Sequence, residues 1–177
     1  MTARYARNEA TQVLQRCRQS SAPIDVKAVA RELRLQVVEK PLGDASGLLI
    51  TGDGRALICV NSVGETPQRQ RFTIAHEIGH YVLRHQFEKG EHVHVDRGNF
   101  ISARNARASA GIDSKEIEAN QFAAALLMPA QLVEAEAAKL VRDGPLLDQH
   151  VAMLARTFDV SEQAMTIRLS SLGLGGL

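Results

Sequence analysis

Between positions 4 and 19 apolar residues recur at near-helical spacing (Ala6, Ala10, Val13, Leu14, Cys17) among polar ones, which predicts an amphipathic helix. Pro23 punctuates it. Asp25 then stands as N-cap to a short helix through Val26, Val29, Ala30 and Leu33, where a carboxylate can accept from the free first-turn amides. Leu35-Gln36-Val37-Val38-Glu39 alternates like a strand. Two apolar runs follow, Leu48-Leu49-Ile50 and Ala56-Leu57-Ile58-Cys59-Val60, separated by Gly52-Asp53-Gly54-Arg55. Asp-Gly tolerates positive φ cheaply, so strand, turn, strand is expected.

Thr66-Pro67 opens a longer helix, with Thr as N-cap and Pro in the first turn, where its missing N–H costs nothing. This helix is expected to run to about position 85. Phe72, Ile74, Ala75, Ile78, Tyr81, Val82 and Leu83 occupy more than one of its faces, which predicts a central, buried helix. Residues 87–112 are polar, carry Gly90, Gly98 and Gly111, and read as irregular. Asp113 and Ser114 can start a helix over 115–128, stopped by Pro129. A further helix ends near Gly144-Pro145, and two more cover about 147–157 and 161–172. The expected class is α+β: a small early sheet, then helices.

The length of 177 residues suits one domain with a real core. Aromatics are 4% and Trp is absent, so that core must be Leu, Ile, Val and Ala. Twenty-one basic against 20 acidic residues leave a net charge of +1, no electrostatic footprint for nucleic acid or anionic membrane. Strong nucleic-acid binding is therefore not expected. Cys17 and Cys59 cannot build a disulfide framework, and there is no CxxC pair. The first nine residues lack the apolar stretch of a secretory signal. No run approaches the roughly 18 apolar residues of a membrane span. A reduced, cytoplasmic, soluble protein is expected, with a monomer favoured.

The chemistry concentrates in His76-Glu77-Ile78-Gly79-His80. Residues four apart on a helix lie one turn apart on nearly one face, so His76 and His80 project together and can share one metal. Glu77 is rotated by about 100°, beside the open side of that metal rather than on it. There it can take a proton from a water whose pKa zinc lowers towards about 7. A buried apolar helix holding three titratable groups also favours a ligand, because unpaired polar groups there cost several kcal/mol each. Catalytic zinc needs a third protein ligand. Glu116 is the best downstream candidate, and Asn120, four residues on, can orient a ligand imidazole. Glu116 also stands three residues after Asp113, the spacing of a capping box. Glu118 is the rival ligand, but it points about 160° away from Asn120. The shared face favours Glu116.

Arg71-Phe72-Thr73-Ile74-Ala75-His76-Glu77-Ile78-Gly79-His80 and the later Glu116-Ile117-Glu118-Ala119-Asn120-Gln121-Phe122-Ala123-Ala124-Ala125-Leu126-Leu127-Met128-Pro129 together resemble the ImmA/IrrE family of gluzincin-like metallopeptidases. The likeness extends more loosely to 25–35, to Ile58-Cys59-Val60-Asn61 and to the C-terminal helices. It implies a zincin-like domain over 1–177, with a catalytic part at 1–145 and an accessory, helix-turn-helix-like part at 146–177. It implies zinc held by His76, His80 and Glu116, with Glu77 as catalytic base. It also implies a cytoplasmic protease of prokaryotes or phage. The protein substrates of such proteases are Xre-type helix-turn-helix repressors, cleaved to derepress stress, mobile-element or defence genes.

Other signals are weaker. Residues 155–169 read like a helix-turn-helix, but the second helix starts Ser161-Glu162-Gln163, with an acid and no Lys or Arg for DNA. Two helices packed on the catalytic part, or docking the substrate, fit better. His85, His92, His94 and His150 stay unassigned; His92, His94, Arg104 or Tyr81 can supply an oxyanion donor. A thiolate of Cys17 or Cys59 on the zinc is the less favoured reading of a lone cysteine. The run at 57–60 leads towards the histidine helix, and as an edge strand it can take an extended peptide by main-chain hydrogen bonds. A regulatory DNA-binding or toxin-type module with a structural zinc is the alternative class. Glu77 argues against it, since a structural site needs no base.

Overall fold

A computed structural model of the chain describes residues 3–52, 55–85, 93–96, 114–141 and 144–174. The order is α1 (Ala3–Arg16), α2 (Val26–Glu32), β1 (Leu35–Lys40), β2 (Gly47–Gly52), β3 (Arg55–Asn61), α3 (Pro67–Val82), β4 (Val93–Asp96), α4 (Ser114–Leu127), α5 (Ala130–Leu140), α6 (Asp148–Phe158) and α7 (Glu162–Ser171). The fold is α+β, a small sheet followed mainly by helices.

Local chemistry starts the helices where expected. Asp25 Oδ1 accepts from Ala28 N–H at 2.9 Å, and Thr66 Oγ1 accepts from Arg69 N–H at 3.2 Å ahead of Pro67. The Asp53-Gly54 turn lies outside the described residues. The strands on either side of it do pair antiparallel, with Gly52 opposite Arg55.

The sheet order is β1-β3-β2-β4. β1 runs parallel to β3, and β2 runs antiparallel to both β3 and β4. The expectation of an edge at 57–60 is therefore corrected, because β3 is hydrogen-bonded on both sides. Residues 87–112 are not irregular throughout either. Four of them, Val93-His94-Val95-Asp96, alternate at strand period inside an otherwise polar stretch and form β4 by pairing with β2; Gly90, Gly98 and Gly111 lie outside the described residues.

α3 packs on β2 and β3, and α4 runs along both α3 and α1. α3 is buried without a break from Thr73 to His80. Ile74, Ile78, Leu49, Ile58, Phe122 and Leu126 fill the space around it. Gly79 makes the α3–α4 approach possible: a Cβ there would lie 3.2 Å from the Ala119 carbonyl oxygen and 3.1 Å from Phe122 Cδ1.

Asn61 organises the loop into β2. Its amide donates to the carbonyls of Gly43 and Ala45, and its Oδ1 accepts from Leu42 N–H and Val63 N–H. α6 and α7 are tied to α3 by Arg71, whose guanidinium donates to Asp159 O at 3.1 Å and Ile24 O at 3.0 Å and pairs with the Asp159 carboxylate. α7 is tied to the end of α4 through Arg168 Nε, which donates to Met128 O at 2.9 Å. Among the described residues no helix is long and apolar enough to cross a membrane.

Candidate metal centre

Two helices build the centre. α3 presents His76 and His80 on one face, and α4 presents Glu116 and Asn120, also one turn apart. The Nε2 atoms of His76 and His80 lie 2.9 Å apart. Glu116 Oε2 is 3.2 Å from His76 Nε2, and Glu116 Oε1 is 3.3 Å from His80 Nε2. The three side chains form the group able to hold a metal ion among the described residues, and neither cysteine belongs to it. Asp113, the other claimant on Glu116, lies outside the described residues.

His76 Nδ1 lies 3.0 Å from Asn120 Oδ1. An amide oxygen only accepts, so His76 carries its proton on Nδ1 and turns the Nε2 lone pair to the site. Glu77 is fully buried on the neighbouring side of α3. Gly47, at the start of β2, sits against it: a Cβ on Gly47 would come within 3.2 Å of Glu77 Oε1 and collide with Thr73 Cγ2.

Glu118 does not join the cluster. Its Oε2 takes a hydrogen bond from His85 Nε2 at 3.1 Å, and His85 Nδ1 lies 3.0 Å from His80 Nδ1. Burial pushes the His85 imidazole below its ordinary range, against the opposing pull of the Glu118 carboxylate. His85 was unassigned in the sequence. Its cue was faint, because α3 ends at Val82 and the chain reverses through Arg84 at φ 53° rather than through a glycine.

Of the possible oxyanion donors, Tyr81 lines a groove with Glu9, Val13 and Arg16 of α1. His94 lies on β4, whose backbone alone is described, and His92 and Arg104 lie outside the described residues. His150 accepts from Leu147 N–H at the start of α6, a local capping role.

A family model for Peptidase_M78, the IrrE N-terminal-like domain, matches residues 30–170. The chain belongs to this family. The match takes this Peptidase_M78 chain from α2 to the end of α7 and includes both helices of the centre. No curated protein matches it by sequence. A solved structure described as a Mycobacterium tuberculosis transcriptional regulator is similar, with a TM-score of 0.58 at 18% identity. The likeness covers 94% of this chain and 46% of that one, so this chain spans less than half its length. At that identity it shows the fold alone.

The donor set of the Peptidase_M78 chain fits zinc. Tetrahedral zinc with bonds of about 2.0–2.1 Å has ligand–ligand edges of about 3.3–3.4 Å; the carboxylate lies 3.2 and 3.3 Å from the two imidazoles, and the imidazole nitrogens, 2.9 Å apart, would open by about 0.4 Å to take the ion. The chemistry also fits, with two lone pairs and a carboxylate converging where a cation relieves their mutual repulsion.

Proposed function

We propose that this chain is a zinc-dependent endopeptidase acting on a protein substrate, an Xre-type helix-turn-helix repressor, in the cytoplasm. The observation that carries the reading is the convergence of His76, His80 and Glu116 within 2.9–3.3 Å, next to the buried Glu77. His76 and His80 would hold the zinc through Nε2, with the Glu116 carboxylate as the third ligand. When bound, zinc supplies Lewis acidity, polarising the peptide carbonyl and acidifying the attacking water. Glu77 takes the proton from that water and delivers it to the leaving amine. Asn120 keeps His76 in the ligating tautomer.

Substrate handling follows from the sheet. Gly47 of β2 packs against Glu77 and pairs with Asp96 of β4, so β2 lies beside the base and β4, the edge strand among the described residues, is the next strand out. An extended peptide added to the outer edge of β4 would lie alongside the centre, held by main-chain bonds.

Residues 1–145 then carry the chemistry, and 146–177 form the accessory part that docks the folded repressor. Exposed Leu147, Met153 and Ile167 support a protein partner for that part. Arg168, the one cation on α7, is buried, which also favours protein over DNA.

Purified protein, loaded with zinc and mixed with Xre-type repressors of the same genome, should cut one of them. Chelator should stop the cleavage and zinc restore it. Glu77→Gln should keep its zinc and cut nothing. A sequence-specific, salt-dependent shift of duplex DNA with no cleavage of any repressor would overturn the reading.

A further inference from the structure

His80 meets a second partner on the side away from Glu116. α3 closes through paired bonds, His85 N–H to His80 O at 3.1 Å and Arg84 N–H to Tyr81 O at 3.2 Å, with Arg84 left-handed at φ 53°. This Schellman closure folds residue 85 back over residue 80. The His85 ring thereby lands between His80 and α4, with its side chain 3% exposed and that of Glu118 6% exposed.

With His85 neutral and Glu118 ionised, the contacts along this row set the proton positions. A carboxylate only accepts, so the 3.1 Å contact requires the proton on His85 Nε2. The Nδ1 of a neutral His85 is then a lone pair, and the 3.0 Å contact requires the proton on His80 Nδ1. His80 Nε2 is left as a lone pair facing His76 and Glu116. Asn120 does the same for His76 in one step. We infer that His85 and Glu118 are positioning residues that hold His80 in its Nδ1–H tautomer and orient its Nε2 towards the metal. α4 thus supplies a ligand and, directly or through His85, the partner of each ligating imidazole. Hydrogen-bonded partners of ligating histidines typically govern metal affinity by about 10–100-fold.

The assignment rests on His80 being a metal ligand, and the test separates the two claims. Two-bond ¹H–¹⁵N spectra of histidine-labelled, metal-free full-length protein read the tautomers without zinc. Wild type should show His80 protonated at Nδ1 and His85 at Nε2. His85→Leu fills the space without an acceptor; it should lose the single His80 tautomer and bind zinc about 10–100-fold more weakly in a chelator competition. His85→Gln restores an acceptor and should recover most of that loss, which a packing role would not distinguish from His85→Leu. Thermal unfolding of each metal-free variant establishes that it is folded. A folded His85→Leu that keeps the Nδ1–H tautomer and wild-type zinc affinity would overturn the inference. So would equal losses in His85→Gln and His85→Leu. A wild-type chain with the expected tautomers but no zinc affinity would instead overturn the metal reading.

Discussion

Gly47 is where the sheet meets the helix that carries Glu77, and the fit there can be measured. A Cβ at position 47 would collide with Thr73 Cγ2 and press on Glu77 Oε1 at 3.2 Å. Thr73 is 1% exposed and β-branched, so its methyl cannot swing away freely. Overpacking by one carbon costs about 1–3 kcal/mol, and removing a strand glycine returns about 0.5–1 kcal/mol. Gly47→Ala should therefore destabilise the fold by about 1–2 kcal/mol. Thr73→Ser deletes the offending methyl and should itself cost about 0.5–1.5 kcal/mol, the usual loss for one buried methyl. In the double variant the new Cβ occupies the space the methyl left. Its loss should fall short of the sum of the single losses by about 1–2 kcal/mol, within the range for residues in contact. Urea unfolding of the four proteins, with m held constant, gives the cycle. Strict additivity would refute the close approach of β2 to α3, and with it the explanation of how Gly47 bears on Glu77.

Three further outcomes follow from the same contacts. Arg71→Leu removes the guanidinium bonds to Asp159 and Ile24 and should cost about 2–4 kcal/mol in urea unfolding; a loss under about 0.5 kcal/mol, the scale of an ordinary surface substitution, would show that the clamp carries no weight. Asn61→Ala strands the Leu42 amide and two carbonyls of the loop into β2, and the Val63 amide after β3, and should cost about 3 kcal/mol or more, read by calorimetry, with a wild-type melting temperature counting against the knot. Zinc at 100 times its dissociation constant adds about 2.7 kcal/mol, which for a chain of this size raises the melting temperature by about 5–11 °C; identical melting with zinc and with chelator would speak against a folded-state site.

What the sequence disclosed and what it hid divide along a physical line. Thr66-Pro67 and Asp25 announce helices through side chains that accept from amides three residues on, so those starts are local and readable. The pairing of His76 with His80, and of Glu116 with Asn120, is likewise a property of a single helix. That the two pairs face each other depends on Gly79 admitting α4 to within contact of Ala119 O, a tertiary fact. The sheet order is equally non-local: β3 reads alone as an early strand leading to α3, and only pairing to β1 and β2 makes it central. β4 does alternate, Val93-His94-Val95-Asp96, but over only four residues within a polar, glycine-containing stretch that masks it. The role of His85 is hard to read for a different reason. Its place over His80 is set by a left-handed residue, and the chain uses Arg84 there instead of the glycine that usually signals such a closure.

The central claim is that His76, His80 and Glu116 hold one zinc ion. Its most direct test is the metal content of the purified chain, by elemental analysis, for wild type and for the His76→Ala, His80→Ala double variant. About one zinc per chain in the wild type is predicted, and none in the double variant, because Glu116 alone cannot retain the ion. Stoichiometric zinc surviving in the double variant would place the metal elsewhere and contradict the account.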